Sequence, residues 1–389
     1  MQMDRRTFLL AAGASAAAAA PPQSDSQRRL RIAIVGTGHR AWAHIQVLKA
    51  LPEFEVVALA DPTPQNLDHA ASLVGGKVAT YSDYKKMLAE RKDLDGVIVI
   101  TPNFLHAEVA EAALSHGINV LSEKPMATTV DDANRMIAAA QKSGKILQIG
   151  QQNRFNPLYV KMNELVRAGE IGEVRFVNGN IYRSDWYKLS WKYPDPKTGV
   201  ATNWRTLTHT AGSSLMEDGI HEMDVLHGMI DSQVTRVYAS GGNNVYLDRE
   251  TIDHAGLVID YESGVKFTFN FCLYGQGAPR TVSRLMVLAG TKGIMTPEGK
   301  QVSVRLHTGG QAKMYDTKDA APDVITARNA GPDQDTGTYR EYLAFANSIR
   351  TGAKPMVSGE VGKAAIKISL LAEKSLRERR IVTWNDLPA

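Results

Sequence analysis

The chain of 389 residues is short of several things, and each shortage narrows what it can be. Cys272 is its only cysteine, which excludes intramolecular disulfides and thiolate-rich metal sites. Beyond the N-terminus there is no run of about 18 apolar residues, so nothing in the body of the chain reads as a membrane-spanning helix. Charge of one sign is scarce too. Lys and Arg number 45 against 41 Asp and Glu, and the formal excess of +4 is too small to point to nucleic acid as a main partner. No internal repeat is present. With 43% hydrophobic and 22% charged residues, the composition is that of a folded chain, neither disordered nor collagen-like. At roughly 150 residues per domain, the length suggests two domains.

The N-terminus reads Asp4-Arg-Arg-Thr-Phe-Leu-Leu10, followed by an almost unbroken alanine tract to Ala20 and then Pro21-Pro22. Paired arginines before a short apolar run resemble a twin-arginine export signal. The run from Phe8 to Ala20 is too short to span a bilayer, so no stable membrane insertion is expected. Residues 1–28 are thus read as signal peptide and linker, and the mature protein as periplasmic or otherwise extracytoplasmic. The alternative is a low-complexity tail on a cytoplasmic protein. Twin-arginine signals serve proteins that fold before crossing the membrane, often around a cofactor.

Arg31-Ile-Ala-Ile-Val35 is a short β-branched run that reads as a buried strand. It flows into Gly36-Thr37-Gly38-His39-Arg40-Ala41 and an apolar-periodic stretch to Ala50. This is G-x-G-x-x-A at a strand-to-helix junction. Gly36 permits the tight turn, Gly38 lets the backbone approach a pyrophosphate, and Ala41 keeps helix and strand close. Unpaired N–H groups at the helix start suit phosphate oxygens. A second strand, Phe54–Ala60, ends at Asp61, where a carboxylate accepts ribose hydroxyls and repels a 2′-phosphate. Pro62 follows where an arginine would have neutralised that phosphate, so NAD is favoured over NADP. The plainer reading of Asp61 is a strand-end turn residue.

Three more strands follow: Gly96–Ile100 leading to Thr101-Pro102-Asn103-Phe-Leu-His106, Ile118–Leu121 leading to Ser-Glu123-Lys124-Pro125, and Lys145–Ile149. Strands alternating with helices predict an α/β fold with a parallel doubly wound sheet over residues 29–150, whose ligands sit past the carboxyl ends of the strands. Thr101, Pro102, Asn103, His106, Glu123 and Lys124 fall at those ends and are candidates for the cofactor cleft.

G-x-G-x-x-A, Thr-Pro-Asn-x-x-His and Glu-Lys-Pro, in this order and spacing, resemble the glucose–fructose oxidoreductase / inositol dehydrogenase (Gfo/Idh/MocA) family. Arg154-Phe-Asn-Pro157 and Gly169-Glu-Ile-Gly172 match the opening of its second domain. The resemblance covers roughly residues 30–385. It implies an NAD-binding Rossmann domain, then a substrate-binding and oligomerisation α/β domain over 151–389 with a large, mostly antiparallel sheet. It also implies a homodimer or homotetramer. The C-terminal helices, read near Thr338–Arg350 and Gly359–Arg379, can pack back on the first domain. The lysine of Glu-Lys-Pro lies in that family between nicotinamide and substrate, and the resemblance gives Lys124 the same role.

Gly212-Ser-Ser-Leu-Met-Glu217-Asp218-Gly-Ile-His221-Glu-Met-Asp224 resembles the family's catalytic helix, with Glu217 standing where the family usually has Asp. On an α-helix Glu217, His221 and Asp224 share one face, while Asp218 lies about 100° round. An imidazole that takes a carbinol proton while a carboxylate holds its tautomer is the expected arrangement. Alternatively Glu217 touches substrate directly, or Asp218 takes over its role. His221-Glu222 begins like H-E-x-x-H, but Val225 occupies the fifth position and the next histidine is His227, so no metal is expected.

The long connection from Arg183 to Ala211 carries Trp186, Tyr187, Trp191, Tyr193, Trp204, Arg205 and His209, an aromatic-rich segment suited to the C–H faces of sugar rings. Packing of the loop on itself or against another subunit is the other reading. Candidate substrate residues are Arg154, Tyr182, Trp204, Arg205, Asp218 and His221.

The expectation is an NAD-dependent oxidoreductase acting on a carbohydrate or polyol hydroxyl, with Lys124, His221 and Glu217 as its catalytic residues. His221 takes the hydroxyl proton, hydride passes to nicotinamide, and Lys124 stabilises the oxygen. Because an exported enzyme has no nucleotide pool to exchange with, the cofactor is expected to stay bound through redox-neutral turnover. The alternatives are an NAD-dependent glycosidase working by oxidation, elimination and reduction, and a non-catalytic sugar or dinucleotide sensor.

Overall fold

In the computed structural model, residues 28–183, 192–275, 285–317 and 336–389 are described. The segment read as an export signal and linker, apart from Arg28, lies outside them, as do the loop aromatics Trp186, Tyr187 and Trp191.

Strands β1 (Leu30–Val35), β2 (Phe54–Ala60), β3 (Ala79–Tyr81), β4 (Gly96–Val99), β5 (Asn119–Glu123) and β6 (Leu147–Gly150) form one parallel sheet in the order β3-β2-β1-β4-β5-β6. Helices α1 (His39–Lys49), α2 (Pro64–Val74), α3 (Tyr84–Glu90), α4 (His106–Ser115) and α5 (Val130–Ser143) connect them. The strands are apolar on both faces because both are covered. Ile32, Ile34 and Ile98 pack with Ile45 and Leu48 on one side, while Ala33, Val97 and Val99 pack with Val109 and Ala133 on the other. β1 pairs with β2 on one edge and β4 on the other, so the strand order reverses there and a crevice opens past their carboxyl ends. Gly36 turns the chain into α1 at φ +87°, and a Cβ on it would lie 2.5 Å from the Ile100 carbonyl oxygen. No other residue type fits that approach.

The second domain begins with α6 (Pro157–Arg167), whose first turn holds Pro157 and is capped by Asn156 accepting from the Leu158 N–H. Then come β7 (Val174–Tyr182), a short hairpin of β8 (Lys192–Pro194) and β9 (Ala201–Asn203), α7 (Thr208–Ala211) and α8 (Ile220–Met229). The remaining strands are β10 (Val234–Gly242), β11 (His254–Tyr261), β12 (Lys266–Cys272), β13 (Met286–Gly290), β14 (Gly293–Glu298), β15 (Gln301–Leu306), β16 (Lys313–Asp316) and β17 (Val382–Thr383). Nine strands make a sheet in the order β16-β15-β14-β13-β7-β12-β11-β10-β17, antiparallel except where β7 meets β12.

This sheet is one-faced. Phe267, Phe269 and Phe271 alternate inward to a core with Leu226 and Ile368, whereas Lys266 and Asn270 point the other way. Full burial of each phenylalanine contributes about 1.5–3 kcal/mol, and Phe269→Ala costs about 3–5 kcal/mol through the cavity it leaves. The outer face exposes Phe176, Tyr238, Val258 and Ile294.

Two C-terminal helices tie the domains together. Tyr342 and Phe345 of α9 (Thr336–Thr351) enter the first domain's core, and a Cβ on Gly96 would come within 3.2 Å of the Phe345 ring. In α10 (Gly359–Glu378), Ala365 and Ile366 pack into the first domain while Ile368, Leu371 and Ala372 pack into the second. Among the described residues no helix is long and apolar enough to cross a membrane.

Candidate active site

The site forms where the carboxyl ends of β4 and β5 meet the start of α8. Glu123 and Lys124 leave β5, with a cis peptide bond between Lys124 and Pro125. Lys124 extends across the domain boundary. Its Nζ donates to the Glu217 backbone oxygen at 2.7 Å and lies 3.6 Å from the Glu217 carboxylate. From β4, Asn103 reaches the same acid, its Nδ2 donating to Glu217 Oε2 at 2.8 Å and to the Ala211 carbonyl at 2.9 Å. Arg205, stacked over Trp204, completes the set at 2.9 Å from Glu217 Oε1. Burial would raise the Glu217 carboxyl, but Arg205, Lys124 and the Asn103 amide outweigh it, and the group is held below its usual range.

Glu217 therefore does not orient His221, contrary to the expectation. Residues Leu215–Gly219 form a π-helical turn ahead of α8. The Glu217 carboxylate is taken up by Asn103, Arg205 and Lys124, and none of its oxygens bonds the Nδ1 of His221. Asp224 is engaged elsewhere as well. It forms a two-pronged pair with Arg154 at 2.7 and 2.8 Å. Arg154 is thus placed as a largely buried clamp under α8, where Gly228 leaves room for its guanidinium and Asp224 neutralises it.

His221 is left with a buried Nδ1 that has no hydrogen-bond partner among the described residues. Burial, then the charges of Lys124 and Arg183, hold its proton affinity well below that of an ordinary histidine. It is a neutral imidazole at neutral pH. Burial and the neighbouring Glu217 raise the Asp218 carboxyl, with Arg183, Lys124 and Arg205 opposing. Tyr182 is a second correction. Alternation along β7 buries Gly179 and Ile181 under α8 and sends Tyr182 to the outer face. The next residue, Arg183, turns back toward α8 and lies 3.6 Å from Glu222. Sequence reasoning passed over it, although period-two alternation was the signal that would have found it. His209, on the same connection as Trp204 and Arg205, pairs with Asp195 at 2.8 Å.

The other cofactor candidates divide into backbone and side-chain roles. α1 starts at Gly38 with no side-chain cap and no acid in its first turn, and a Cβ on Gly38 would meet only Asn66 at 3.9 Å. Thr37 and Thr101 add buried hydroxyls that have no hydrogen-bond partner among the described residues. This cradle fits a pyrophosphate. Asp61 accepts from the Thr37 N–H at 2.7 Å and the Thr63 N–H at 2.9 Å, which is the turn role, and it stands at the strand end where a ribose would bind. His106 places its ring nitrogens 2.7 and 2.9 Å from the carbonyl oxygens of Pro125 and Thr101, joining the loops that carry Lys124 and Asn103. Pro102 opens the turn that carries Asn103. Arg40 turns its guanidinium inward to Glu123 and Gln152. Tyr193 of the β8–β9 hairpin packs edge-on to Phe104, 5.9 Å between centroids, so the second domain also touches the first beside Asp61.

Comparison with known proteins agrees with this architecture. Residues 30–151 match the oxidoreductase family with the NAD-binding Rossmann fold, and residues 159–296 match the GFO/IDH/MocA C-terminal domain. Over 257 residues the chain is 30% identical to the inositol 2-dehydrogenase of Salmonella typhimurium, covering 63% of this chain and 69% of that one. The aldose–aldose oxidoreductase of Caulobacter crescentus, complexed with glycerol, has a TM-score of 0.73 at 26% identity, over 92% of this chain and 100% of that one. A levoglucosan dehydrogenase in complex with NADH has a TM-score of 0.80 at 19% identity, over 93% and 100%. A cleft that combines the Gly36–Ala41 phosphate cradle with Lys124 of Glu-Lys-Pro, on a chain related to these dehydrogenases along both domains, leads to one conclusion: the chain belongs to the Gfo/Idh/MocA oxidoreductase family and uses NAD.

Proposed function

We propose that the protein interconverts a hydroxyl-bearing carbon and the corresponding carbonyl on a sugar or polyol, outside the cytoplasm, with its nucleotide retained and each turnover redox-neutral. One observation carries the reading. Lys124 of the first domain and the helix of His221 in the second meet at one cleft, the ammonium resting on Glu217 four residues before the imidazole. Bound NAD supplies the hydride acceptor. Lys124 is placed to donate to the reacting oxygen as it gains negative charge, and removing such a donor costs on the order of 10²–10³ in rate. His221, neutral and with no hydrogen-bond partner at its buried Nδ1 among the described residues, takes the hydroxyl proton at its other ring nitrogen. Arg183, Arg205 and Trp204 line the approach with hydrogen-bond donors and a flat apolar face suited to a polyhydroxylated ring.

The export part of the proposal rests on the Arg5-Arg6 signal, and cofactor retention follows from the lack of exchangeable nucleotide outside the cell. The outer sheet face, with Tyr238 and Val258 exposed beside the Arg236–Asp260–Lys266 charges, supports pairing with a second copy as a homodimer or dimer of dimers. Light scattering of the purified chain tests that point.

The function is tested by purifying the full chain without added nucleotide, assaying it for bound NAD, and offering polyols and aldoses singly and in pairs with products read by mass spectrometry. Paired oxidation and reduction on retained NAD is expected, lost in Lys124→Ala and His221→Ala. Release of one NADH per substrate oxidised would end the redox-neutral reading. Undiminished turnover in both variants would end the site assignment.

A further inference from the structure

Behind Lys124, away from the cleft, a chain of buried polar groups runs from the Glu-Lys-Pro loop to the C-terminal helix α9. Glu123 Oε2 accepts the backbone N–H of Lys124 at 2.8 Å. Its other oxygen receives two groups from one face of α1, Arg40 Nε at 2.5 Å and His44 Nε2 at 2.9 Å. Residues 40 and 44 stand one turn apart, so both point at the same acid. His44 has no solvent exposure, and its Nδ1 lies 2.7 Å from the hydroxyl of Tyr342, which is 298 residues away along the chain. A carboxylate only accepts, so His44 Nε2 carries the proton, and Nδ1 shares a hydrogen bond with the Tyr342 hydroxyl, which can donate or accept.

We propose that His44 and Tyr342 are positioning residues for Lys124. They fix the orientation of the Glu123 carboxylate, which in turn fixes the peptide from which the Lys124 side chain starts. A lysine has a flexible four-carbon stem, so its aim across the cleft depends on how rigidly that starting point is held. The Arg40 pair alone leaves Glu123 free to turn about the guanidinium, and the imidazole, locked from behind by a phenol on another helix, removes that freedom. The packing of α9 onto the first domain thereby reaches the reaction site. The assignment rests on Lys124 lining the proposed cleft, but its test needs no substrate, so its outcome is separable from that of the function assay.

The test is trace acetylation of the full-length chain with acetic anhydride, reading the Lys124 peptide by mass spectrometry relative to the exposed Lys85 and Lys266. Tyr342→Phe, which removes one hydroxyl, is expected to raise the relative rate at Lys124 by about threefold or more. His44→Leu is expected to raise it further, and His44→Gln, whose amide still donates to Glu123, to fall between. In a Glu123→Gln background Tyr342→Phe is expected to add nothing, as members of one network do not act independently. A core residue with no positioning role would lower the thermal midpoint and leave the Lys124 rate alone. If Tyr342→Phe fails to fold, the two His44 variants decide. Lys124 reactivity equal to wild type in the folded variants, whatever their stability, overturns the proposal.

Discussion

Two buried glutamates flank Lys124, and they are held in opposite ways. Glu123 takes its partners, Arg40, His44 and the Lys124 N–H, from its own domain. Glu217 takes two of its three from elsewhere, Asn103 and Lys124 crossing from the first domain while Arg205 comes from its own. Both carboxyls are kept ionised, since neighbouring cations outweigh the cost of burial. One acid is therefore part of a preformed scaffold, while the other is fully compensated only when the two domains are docked. Lys124 begins on the first and ends on the second.

Breaking the scaffold acid has the largest expected effect. Glu123→Leu strands the fully buried His44 and leaves Arg40, whose side chain still reaches water, without its acid. Removing one partner of a buried pair costs up to roughly 3–5 kcal/mol, and the exposure of Arg40 brings the expected loss to about 2–3 kcal/mol. Urea unfolding of the first domain should show it, with the second domain's transition much less affected. A loss below about 1 kcal/mol would mean that His44 finds another partner once the acid is gone.

Glu217→Gln separates the two acids. The amide keeps an acceptor for Asn103 and the backbone oxygen for Lys124, but loses the charge facing Arg205. Turnover is expected to fall about 10- to 100-fold while NAD affinity holds, because the cradle at Gly36–Ala41 is untouched. A matching fall in NAD affinity would show that the acid supports the first domain after all. The pH profile of the wild type sharpens the contrast. His221 is held well below the ordinary histidine value of about 6.5, so the acid limb of turnover should lie under that pH and be absent from His221→Asn.

The same contrast marks what could be read in the chain before its structure. The first domain is built from local signals, strand runs ending in Gly36, Asp61, Asn103 and Lys124, and each marker residue lies at the strand end that its spacing implied. Phe267, Phe269 and Phe271 alternate with polar residues in the sequence itself, so the one-faced sheet is legible there too. Local periodicity failed where partners from elsewhere in the fold decide. Glu217 is claimed by Asn103 and Lys124 of the first domain and by Arg205, and α-helical spacing cannot reveal that. Nor does any local pattern disclose that Arg154 is engaged by Asp224, 70 residues on, or that Tyr342 reaches His44. Such pairs are set by tertiary packing, and their residue types are compatible with either a structural or a catalytic role.

A third buried acid gives the smallest and most pH-specific effect. Glu373 of α10 accepts from Ser213, whose hydroxyl in turn accepts the Met216 N–H at the start of the π-turn. Its Oε1 has no hydrogen-bond partner, and burial pushes the carboxyl up to about 7, with Ser213 and Arg377 only partly opposing. A folded-state value above the unfolded one means that the unfolded chain releases the proton first. The stability due to Glu373 is thus complete below about pH 4.5 and drains away as pH rises through 7. Glu373→Gln should then be close to neutral at pH 5 and stabilising by about 1–2 kcal/mol at pH 8, the partial solvent access of the group holding the gain below the full linkage value. Urea midpoints at the two pH values measure it. An equal change at both would mean that Glu373 is already ionised in the fold. It would then belong with Glu123 and Glu217 as a third compensated acid, and the turn that carries Glu217 would be tied to α10 by a charge and not by a shared proton.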